Sequence, residues 1–513
     1  MKLWPAGPLY QALLVMVAAI AVAAGGYFVY RSWFADDPAC APGVSERGPR
    51  HECVGITDGA YAYDPSLKEV TKRIEAENNW VEKRTKGAGA SPATIALMIP
   101  MISDNPAEQH EYVEQVEGAY LAQYRANHNT NRQPPIRLLL ANPGRGYEHW
   151  PVVAEQLAQA ASDEKQNLRA VAGINISLPE TKAAIGHLTK RLHIPVVAGP
   201  MTADDIANEK KNPHRYPGLA RVAPGNADQA DALASYGKDI KPAETMVIED
   251  IRDGDNYLES LRKRFEELAD GAPNAPETFR SPPDFNDEGN LANDFHQMVP
   301  DICTSAAKTI YFAGRPVQLR QFLIELGDRN CNKHYTVITG SHASTLTVDE
   351  KFADHWDALT KDAGITLRYA ALAHPDAWGD RSTEKTGGSR AALKELTSLL
   401  PKVGATPSDL VDGRIIITYD AVGTAVEGIR NDAVGQVRMP TLAEVADNWL
   451  RLHGTNRVEG ASGWICLDQY GNPHNKAVPI VHLDPRKKTA VFDRITWPAD
   501  RAPDVNCSIP REG

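Results

Sequence analysis

From Thr94 onward, short apolar runs rich in β-branched residues alternate with amphipathic helical stretches, and this alternation constrains the fold more than any other feature. It is typical of a doubly wound parallel sheet with helices on both faces, an α/β fold. A first series has apolar runs at 94–99, 136–141, 170–174 and 195–198. A second series has runs at 245–249, 309–313 and 336–339. Two similar sheets in tandem predict two lobes.

The remaining chain predicts a return to the first lobe and a C-terminal hairpin. β-rich runs at 365–369 and 414–418 flank a helical region at 390–400 and precede a helix at 421–430. The turn signal Gly471-Asn472-Pro473 separates two β-rich runs, 463–467 and 478–482. We therefore predict a first part of lobe 1, then lobe 2, a return to lobe 1, and a hairpin and tail on lobe 2, at 93–223, 224–345, 346–455 and 456–513.

The N-terminal segment predicts a membrane anchor. No charged side chain occurs from Leu9 to Tyr30, and about 20 apolar residues suffice for a helix to cross the hydrocarbon core. We expect a short tail at 1–8, a single transmembrane helix at 9–30, and a stalk with a helical extension at 31–92. The alternative is a cleavable signal peptide, because Ala21-Val22-Ala23 has small residues at cleavage spacing.

The six cysteines fall into three local pairs, Cys40 with Cys53, Cys303 with Cys331, and Cys466 with Cys507. This usage favours disulfides in an oxidising compartment, and so a soluble part outside the cytoplasm, on a single-pass protein of the cell membrane. Buried free thiols are the alternative. No CxxC sequence or Cys/His cluster with metal-ligand spacing occurs, so we predict no metal site.

Charge and motifs exclude several functions. The formal net charge is -11, with 55 Lys and Arg against 66 Asp and Glu, and a nucleic-acid surface needs a local excess of cations. No HExxH, GxSxG or Walker sequence occurs. We therefore predict no nucleic-acid partner, no enzymatic activity and no cofactor, and a hydrolase is only a distant alternative.

The order of the segments resembles the type 1 periplasmic-binding proteins, the family of leucine/isoleucine/valine receptors. The resemblance covers roughly Thr94 to Pro498, and the stretches that carry it are 94–101, 116–122, 172–177, 192–198, 216–224, 246–250, 294–314 and 417–422. It implies a two-lobed clamshell with an inter-lobe hinge near Ala223-Pro224. The segment 53–59 looks like an extension on membrane-anchored actinobacterial relatives.

The resemblance implies an extracytoplasmic protein that binds a small solute, either as the substrate-binding component of an ABC transporter or as a ligand sensor. A permease or a receptor would then be its partner. A scaffold protein that kept the fold but lost the ligand is the alternative.

The candidate binding residues follow the predicted strands, because ligands of such folds bind at the carboxyl ends of parallel strands. They are Ser103, Ser177, Met201, Thr202, Tyr257, Arg315, Ser341 and His342. Ser177 precedes Glu180 and Thr202 precedes Asp205, so helix capping is an alternative role for both hydroxyls.

The nature of the solute is left open between two classes. Amino-acid receptors of the resembled family use an acidic residue of the second lobe to bind the ammonium group, but the matching loop here reads Thr339-Gly-Ser-His-Ala343. Arg315 at a neighbouring strand end suggests an anionic group, although a surface salt bridge is the alternative. The predicted ligand is therefore an amino-acid-like or an anionic solute.

Overall fold

The computed structural model describes residues 39–86, 91–129, 132–284, 286–379, 386–430 and 438–509. Among these residues, no helix is long and apolar enough to cross a membrane. The predicted anchor at 9–30 lies outside the described residues, so it stays a prediction.

The described chain alternates strands and helices. The strands are β1 (Ala39–Ala41), β2 (Val44–Arg47), β3 (Glu52–Thr57), β4 (Ala93–Met98), β5 (Ile136–Asn142), β6 (Leu168–Gly173), β7 (Val196–Ala198), β8 (Leu219–Arg221), β9 (Thr245–Asp250), β10 (Glu277–Phe279), β11 (Thr309–Ala313), β12 (Tyr335–Thr339), β13 (Ile365–Ala370), β14 (Val458–Gly460), β15 (Gly463–Ile465), β16 (Val478–Asp484) and β17 (Thr489–Thr496). The α-helices are α1 (Lys68–Thr85), α2 (Pro106–His128), α3 (Trp150–Ser162), α4 (Pro179–Lys190), α5 (Asn226–Tyr236), α6 (Asn256–Leu268), α7 (Leu291–Thr304), α8 (Pro316–Gly327), α9 (Glu350–Ala353), α10 (Arg390–Leu399), α11 (Arg414–Arg430) and α12 (Leu442–Trp449).

The described residues 39–53 belong to a separate small unit. In it, β1 and β2 pair antiparallel, with Ala39 opposite Ser45. The Cys40–Cys53 disulfide holds this short segment together, since so small a unit buries little apolar surface.

The first sheet of the larger unit, 54–513, has the order β3-β5-β4-β6-β7-β8. All its neighbours pair parallel except β3, which runs antiparallel to β5. Helices cover both faces, which is why its central strands are apolar throughout. On one face α3 and α4 bury Leu157 and Leu188. On the other face α2 packs on α11 so closely that a Cβ atom on Gly118 would lie 2.5 Å from the Ile415 carbonyl oxygen.

The second sheet has the order β10-β9-β11-β12-β13-β16-β17. Its first five strands are parallel, and β16 and β17 extend it antiparallel. The helices α7 and α8 cover one face with Phe295 and Phe322, and α6 covers the other with Leu261 and Phe265. This is the doubly wound architecture that the sequence predicts.

The chain passes between the two sheets three times. The first passage follows β8 at residues 222–225, in agreement with the predicted hinge at Ala223-Pro224. The second lies between β13 and α11, because α11 packs on the first sheet. The third lies between β15 and β16, because β14 contacts α11 while β16 belongs to the second sheet. The predicted two-lobed α/β fold is confirmed for the described residues.

One predicted segment was assigned to the wrong lobe. The run at 365–369 was expected within the return to lobe 1 at 346–455, but β13 pairs parallel with β12 in the second sheet, with Thr366 opposite Thr336. Consecutive strands of a parallel sheet usually lie side by side, and only α9 and short 3-10 turns separate these two. The return to the first lobe therefore begins after Ala370.

Two further predictions of local structure were wrong. The run at 414–418 was expected as a strand, but it is the first part of α11, where Ile415, Ile416 and Ile417 are fully buried. Packing against α2 and the sheet overrides the weak preference of isoleucine for strands. The expected hairpin between 463–467 and 478–482 is also absent, because β15 pairs with β14 and β16 pairs with β17.

The three predicted disulfides are confirmed. The Cα atoms of the pairs Cys40–Cys53, Cys303–Cys331 and Cys466–Cys507 are 6.0, 5.8 and 6.5 Å apart. Each distance lies in the range that a disulfide can span without moving the backbone.

Candidate functional site

A cavity between the lobes lies at the carboxyl ends of the parallel strands of both sheets. Its empty volume is about 490 Å³, part of which opens to solvent. The first lobe contributes Glu108, Glu111, Tyr112, Asn175, Ile176, Ser177, Pro200, Thr202 and Arg414, and the second lobe with the passage after β13 contributes Tyr257, Arg315, Ser341, His342 and Leu372. The position is that of ligand sites in open α/β sheets.

Six of the eight predicted binding residues line this cavity: Ser177, Thr202, Tyr257, Arg315, Ser341 and His342. The other two do not. The Met201 side chain belongs to the core of the first lobe and is 1% exposed. Ser103 is not a lining residue of the cavity, and its hydroxyl donates to the Glu108 carboxylate at 2.5 Å. The structure therefore brings these six residues to one cavity, and their role in ligand binding stays a prediction.

Neither Ser177 nor Thr202 caps a helix in the way that their spacing allows. The N-cap of α4 is Leu178, whose N–H donates to the Thr181 hydroxyl at 2.8 Å. The Ser177 hydroxyl instead accepts from the N–H of Ala203 at 3.2 Å, which joins the loops after β6 and β7. These loops are thereby fixed at the edge of the cavity.

Arg315 is buried in an ion pair and is not a surface cation. Its Nε and one terminal nitrogen donate to the two oxygens of Asp255, at 2.9 and 2.8 Å, and Arg252 also donates to this carboxylate. Burial alone would raise the pKa of Asp255, but Arg315 and Arg252 hold it below its usual value. Asp255 also accepts from the N–H of Leu258 and caps α6. Arg315 and Arg252 therefore share one carboxylate, and the expectation of an anionic group near Arg315 stays a prediction.

Arg315 also organises the aromatic wall of the cavity. Its guanidinium carbon lies 4.7 Å from the centre of the Tyr257 ring, and another of its nitrogens lies 3.2 Å from Nδ1 of His342. Burial, with the charges of Arg315 and Arg414, lowers the pKa of His342 well below its usual value, so the imidazole is neutral near pH 7. Burial raises the pKa of Tyr257 to about 12, so its hydroxyl keeps its proton.

The first-lobe wall carries two carboxylates of α2 in different surroundings. Burial raises the pKa of Glu111 to about 7, although Arg414 opposes this effect. The Glu111 carboxylate accepts hydrogen bonds from Arg414 at 3.1 Å and from the hydroxyl of Thr345, which lies in the second lobe. Glu108 accepts from Ser103 and, at 2.8 Å, from Asn286 of the second lobe. No Lys, Arg or His side chain of the described residues forms an ion pair with Glu108.

Direct hydrogen bonds join the lobes on more than one side of the cavity. Asn286 links to Asn105 at 3.1 Å, in addition to its bond with Glu108. At another point, Asp204 after β7 accepts from Ser260 of α6 at 2.8 Å, and Asp205 accepts from Asn256 at 2.8 Å. The two lobes are therefore in contact around the cavity.

Sequence reasoning missed three polar residues that matter here: Glu108, Glu111 and Arg414. Reasoning from strand ends could not find Glu108 and Glu111, because they project from a helix. A signal existed, since Glu108, Glu111 and Glu114 lie at spacings of three on a helix that is otherwise rich in Ala and Tyr. Asp250 and Asp255 are buried, whereas Asp253 between them is exposed.

The described residues contain no group of three or more His, Cys, Asp or Glu side chains that could hold a metal ion. The cavity walls hold instead a mixture of hydrogen-bonding groups, aromatic rings and paired charges. Such a wall can bind a small polar molecule through hydrogen bonds and charge.

Comparisons with known proteins find similar proteins only among solved structures. No protein-family model and no curated protein matches the sequence. The leucine-binding protein LivK from Thermotoga maritima matches 80% of this chain and all of its own, with 18% identity and a TM-score of 0.57. LivJ from Streptococcus pneumoniae, solved with isoleucine, matches 79% of this chain and all of its own, with 14% identity and a TM-score of 0.56.

A solute-binding protein of an ABC transporter from R. palustris, solved with 4-hydroxybenzoate, also has this fold. It matches 79% of this chain and 96% of its own, with 13% identity and a TM-score of 0.55. At such identities the likeness establishes the architecture and leaves the ligand open. The chain therefore has the fold of the type 1 periplasmic-binding proteins, as the sequence resemblance implies.

Proposed function

We propose that this protein is an extracytoplasmic solute-binding protein whose ligand occupies the cavity between the lobes. One observation carries the proposal: polar side chains from the strand ends of both sheets, such as Ser177, Thr202, Tyr257 and Ser341, line one cavity of about 490 Å³. A scaffold that had lost its ligand would be expected to fill this space with apolar side chains. Closure of the two lobes on the solute would then deliver it to a permease or report its presence.

The charges on the cavity wall favour an amino-acid-like solute over an anionic one. Arg414 pairs with Glu111, and Arg315 pairs with Asp255, which Arg252 shares. Glu108 is buried and receives hydrogen bonds only from neutral groups among the described residues. A buried carboxylate without an opposite charge is unfavourable, so a cationic group of the solute next to Glu108 would stabilise both.

The neutral partners of the wall suit the rest of such a solute. His342 and the Tyr257 hydroxyl are uncharged near pH 7, for the reasons given above. Together with Ser341 and Thr202 they offer hydrogen bonds to a carboxylate or a hydroxyl without adding charge.

We further propose that the chain is held at the cell membrane by the segment 9–30, with the lobes outside the cytoplasm. The apolar run and the three disulfides support this location. N-terminal sequencing of the mature protein decides between the two processing routes. A product that begins near Ala24 would contradict the anchor and indicate a cleaved signal peptide.

The test of the proposed function is a solute screen on the full-length protein in detergent, with unfolding followed by tryptophan fluorescence. We expect small amines and amino acids to raise the melting temperature, because a ligand that binds only the folded state stabilises it. At 100 times its Kd, such a ligand adds about 2.7 kcal/mol to the free energy of unfolding. Stabilisation by carboxylic acids that lack an amine, and not by amines, would contradict the proposed solute class.

A further inference from the structure

A second cavity lies on the first lobe where two of the three inter-lobe passages meet, and it shares no wall residue with the first cavity. We call it the hinge cavity. Its empty volume is about 720 Å³, part of which opens to solvent. Three segments form its wall: 204–209 after β7, 221–228 at the first passage, and 468–475 at the third passage.

Arg221 is a buried cation in the wall of the hinge cavity. It is the last residue of β8 and is 4% exposed. One terminal nitrogen makes a long hydrogen bond of 3.5 Å to the Met201 carbonyl oxygen, and Nε has no partner among the described residues. No carboxylate of the described residues lies within ion-pair distance of its guanidinium. A buried charge without a partner costs several kcal/mol, so a polar group in the cavity would satisfy it.

Asp228 supplies a negative charge in the same wall. Its Oδ2 accepts from the N–H of Gly225 at 3.2 Å, and no cationic side chain of the described residues forms an ion pair with it. Arg221 and Asp228 influence each other electrostatically, yet they do not touch. Arg221 and Asp228 are therefore a cation and an anion of the same wall that form no ion pair among the described residues.

Three other acidic residues of the wall are already bound. The Asp468 carboxylate accepts from the N–H groups of Tyr470 and Asn472, at 2.8 and 2.9 Å. Asp204 accepts from Ser260 and lies 3.4 Å from Nε of Arg264, and Glu209 pairs with Arg215 at 3.3 Å. These pairs leave Arg221 and Asp228 as the charges that a ligand can complement.

We propose that the hinge cavity binds a small zwitterion, with its carboxylate on the Arg221 guanidinium and its ammonium group toward Asp228. A molecule with only one charge would satisfy one group and leave the other without a partner. The guanidinium can donate two parallel hydrogen bonds to a carboxylate, which fixes the orientation of the ligand. This site stands on residues outside the first cavity, so it does not depend on the proposed function.

The proposal is tested by calorimetric titration of the full-length protein in detergent with glycine, acetate and methylammonium at constant ionic strength. The titrations use the Glu108→Gln variant, so that binding in the first cavity contributes little. We expect saturable binding of glycine, and affinities at least tenfold lower for acetate and for methylammonium. Failure of glycine to bind, or equal affinities for glycine and acetate, would overturn the proposal.

Variants of the hinge cavity assign the binding to its two charges. Arg221→Gln should lower the affinity for glycine at least tenfold. Asp228→Asn should also lower it but should leave acetate binding unchanged or stronger, and this variant keeps the test decisive if Arg221→Gln does not fold. The matched control is Asp253→Asn, whose carboxylate lies at the surface of the second lobe, pairs with Arg280 and should change the affinity less than twofold. An unchanged affinity for glycine in the Asp228→Asn variant would contradict the assignment of the binding site to this cavity.

Discussion

The Asp255→Ala variant is expected to lose about 3–5 kcal/mol of unfolding free energy, because it leaves two buried guanidinium groups without their carboxylate. Arg315 and Arg252 are 2% and 6% exposed, and both donate to Asp255. The substitution also removes the N-cap of α6. Urea denaturation followed by tryptophan fluorescence measures the change.

Asp253→Ala is the matched control for this variant. Asp253 lies two residues away, its side chain is 93% exposed, and it pairs with Arg280 at the surface. Surface ion pairs contribute little, so the unfolding midpoint should remain that of the wild type. A similar loss in both variants, or a stable Asp255→Ala protein, would show that the buried pair does not hold this part of the second lobe.

Replacement of Cys303 and Cys331 by alanine is expected to lower the free energy of unfolding by about 3.5 kcal/mol. The disulfide closes a loop of 28 residues between α7 and β12, and closing such a loop removes conformational entropy from the unfolded chain. The same denaturation measurement compares the double variant with the wild type.

A thiol titration provides the control for the disulfides. All six cysteines are paired. The wild-type protein, unfolded in denaturant without a reducing agent, should therefore show no free thiol when it is titrated with a thiol reagent. Two reactive thiols in the unfolded wild type would contradict one of the three pairs. A loss of less than about 1 kcal/mol in the double variant would contradict the entropic account of this disulfide.

The fold was predictable where local pattern and packing agree. The buried strands β4 to β7 and β9, β11 and β12 are short apolar runs between helices, and this pattern alone indicates parallel sheets. The pattern misled at Ile415 to Ile417, because an apolar run buried on every side has no period that separates a strand from a helix. The pairing of β13 with β12 follows from their order in the chain, but no long helix between them marked β13 as the next strand of the second sheet.

The candidate site was predictable in part for the same reason. Residues such as Ser177, Thr202 and Ser341 follow strand ends, and the carboxyl ends of parallel strands face the cavity. The surroundings of Arg315 were not predictable, because its partner Asp255 lies 60 residues earlier in the chain. Likewise, Glu111 and Arg414 meet across 303 residues, and only the packing of α2 against α11 brings them together.

Calorimetric titration of the most stabilising amine-bearing solute against the wild type, Glu108→Gln and Asp253→Ala tests the central claim most directly. The account predicts an affinity at least tenfold lower in Glu108→Gln and no change in Asp253→Ala, because Glu108 lines the cavity between the lobes and Asp253 does not. A tenfold loss corresponds to about 1.4 kcal/mol of binding free energy. Equal affinities for Glu108→Gln and the wild type would contradict the claim that the solute occupies this cavity.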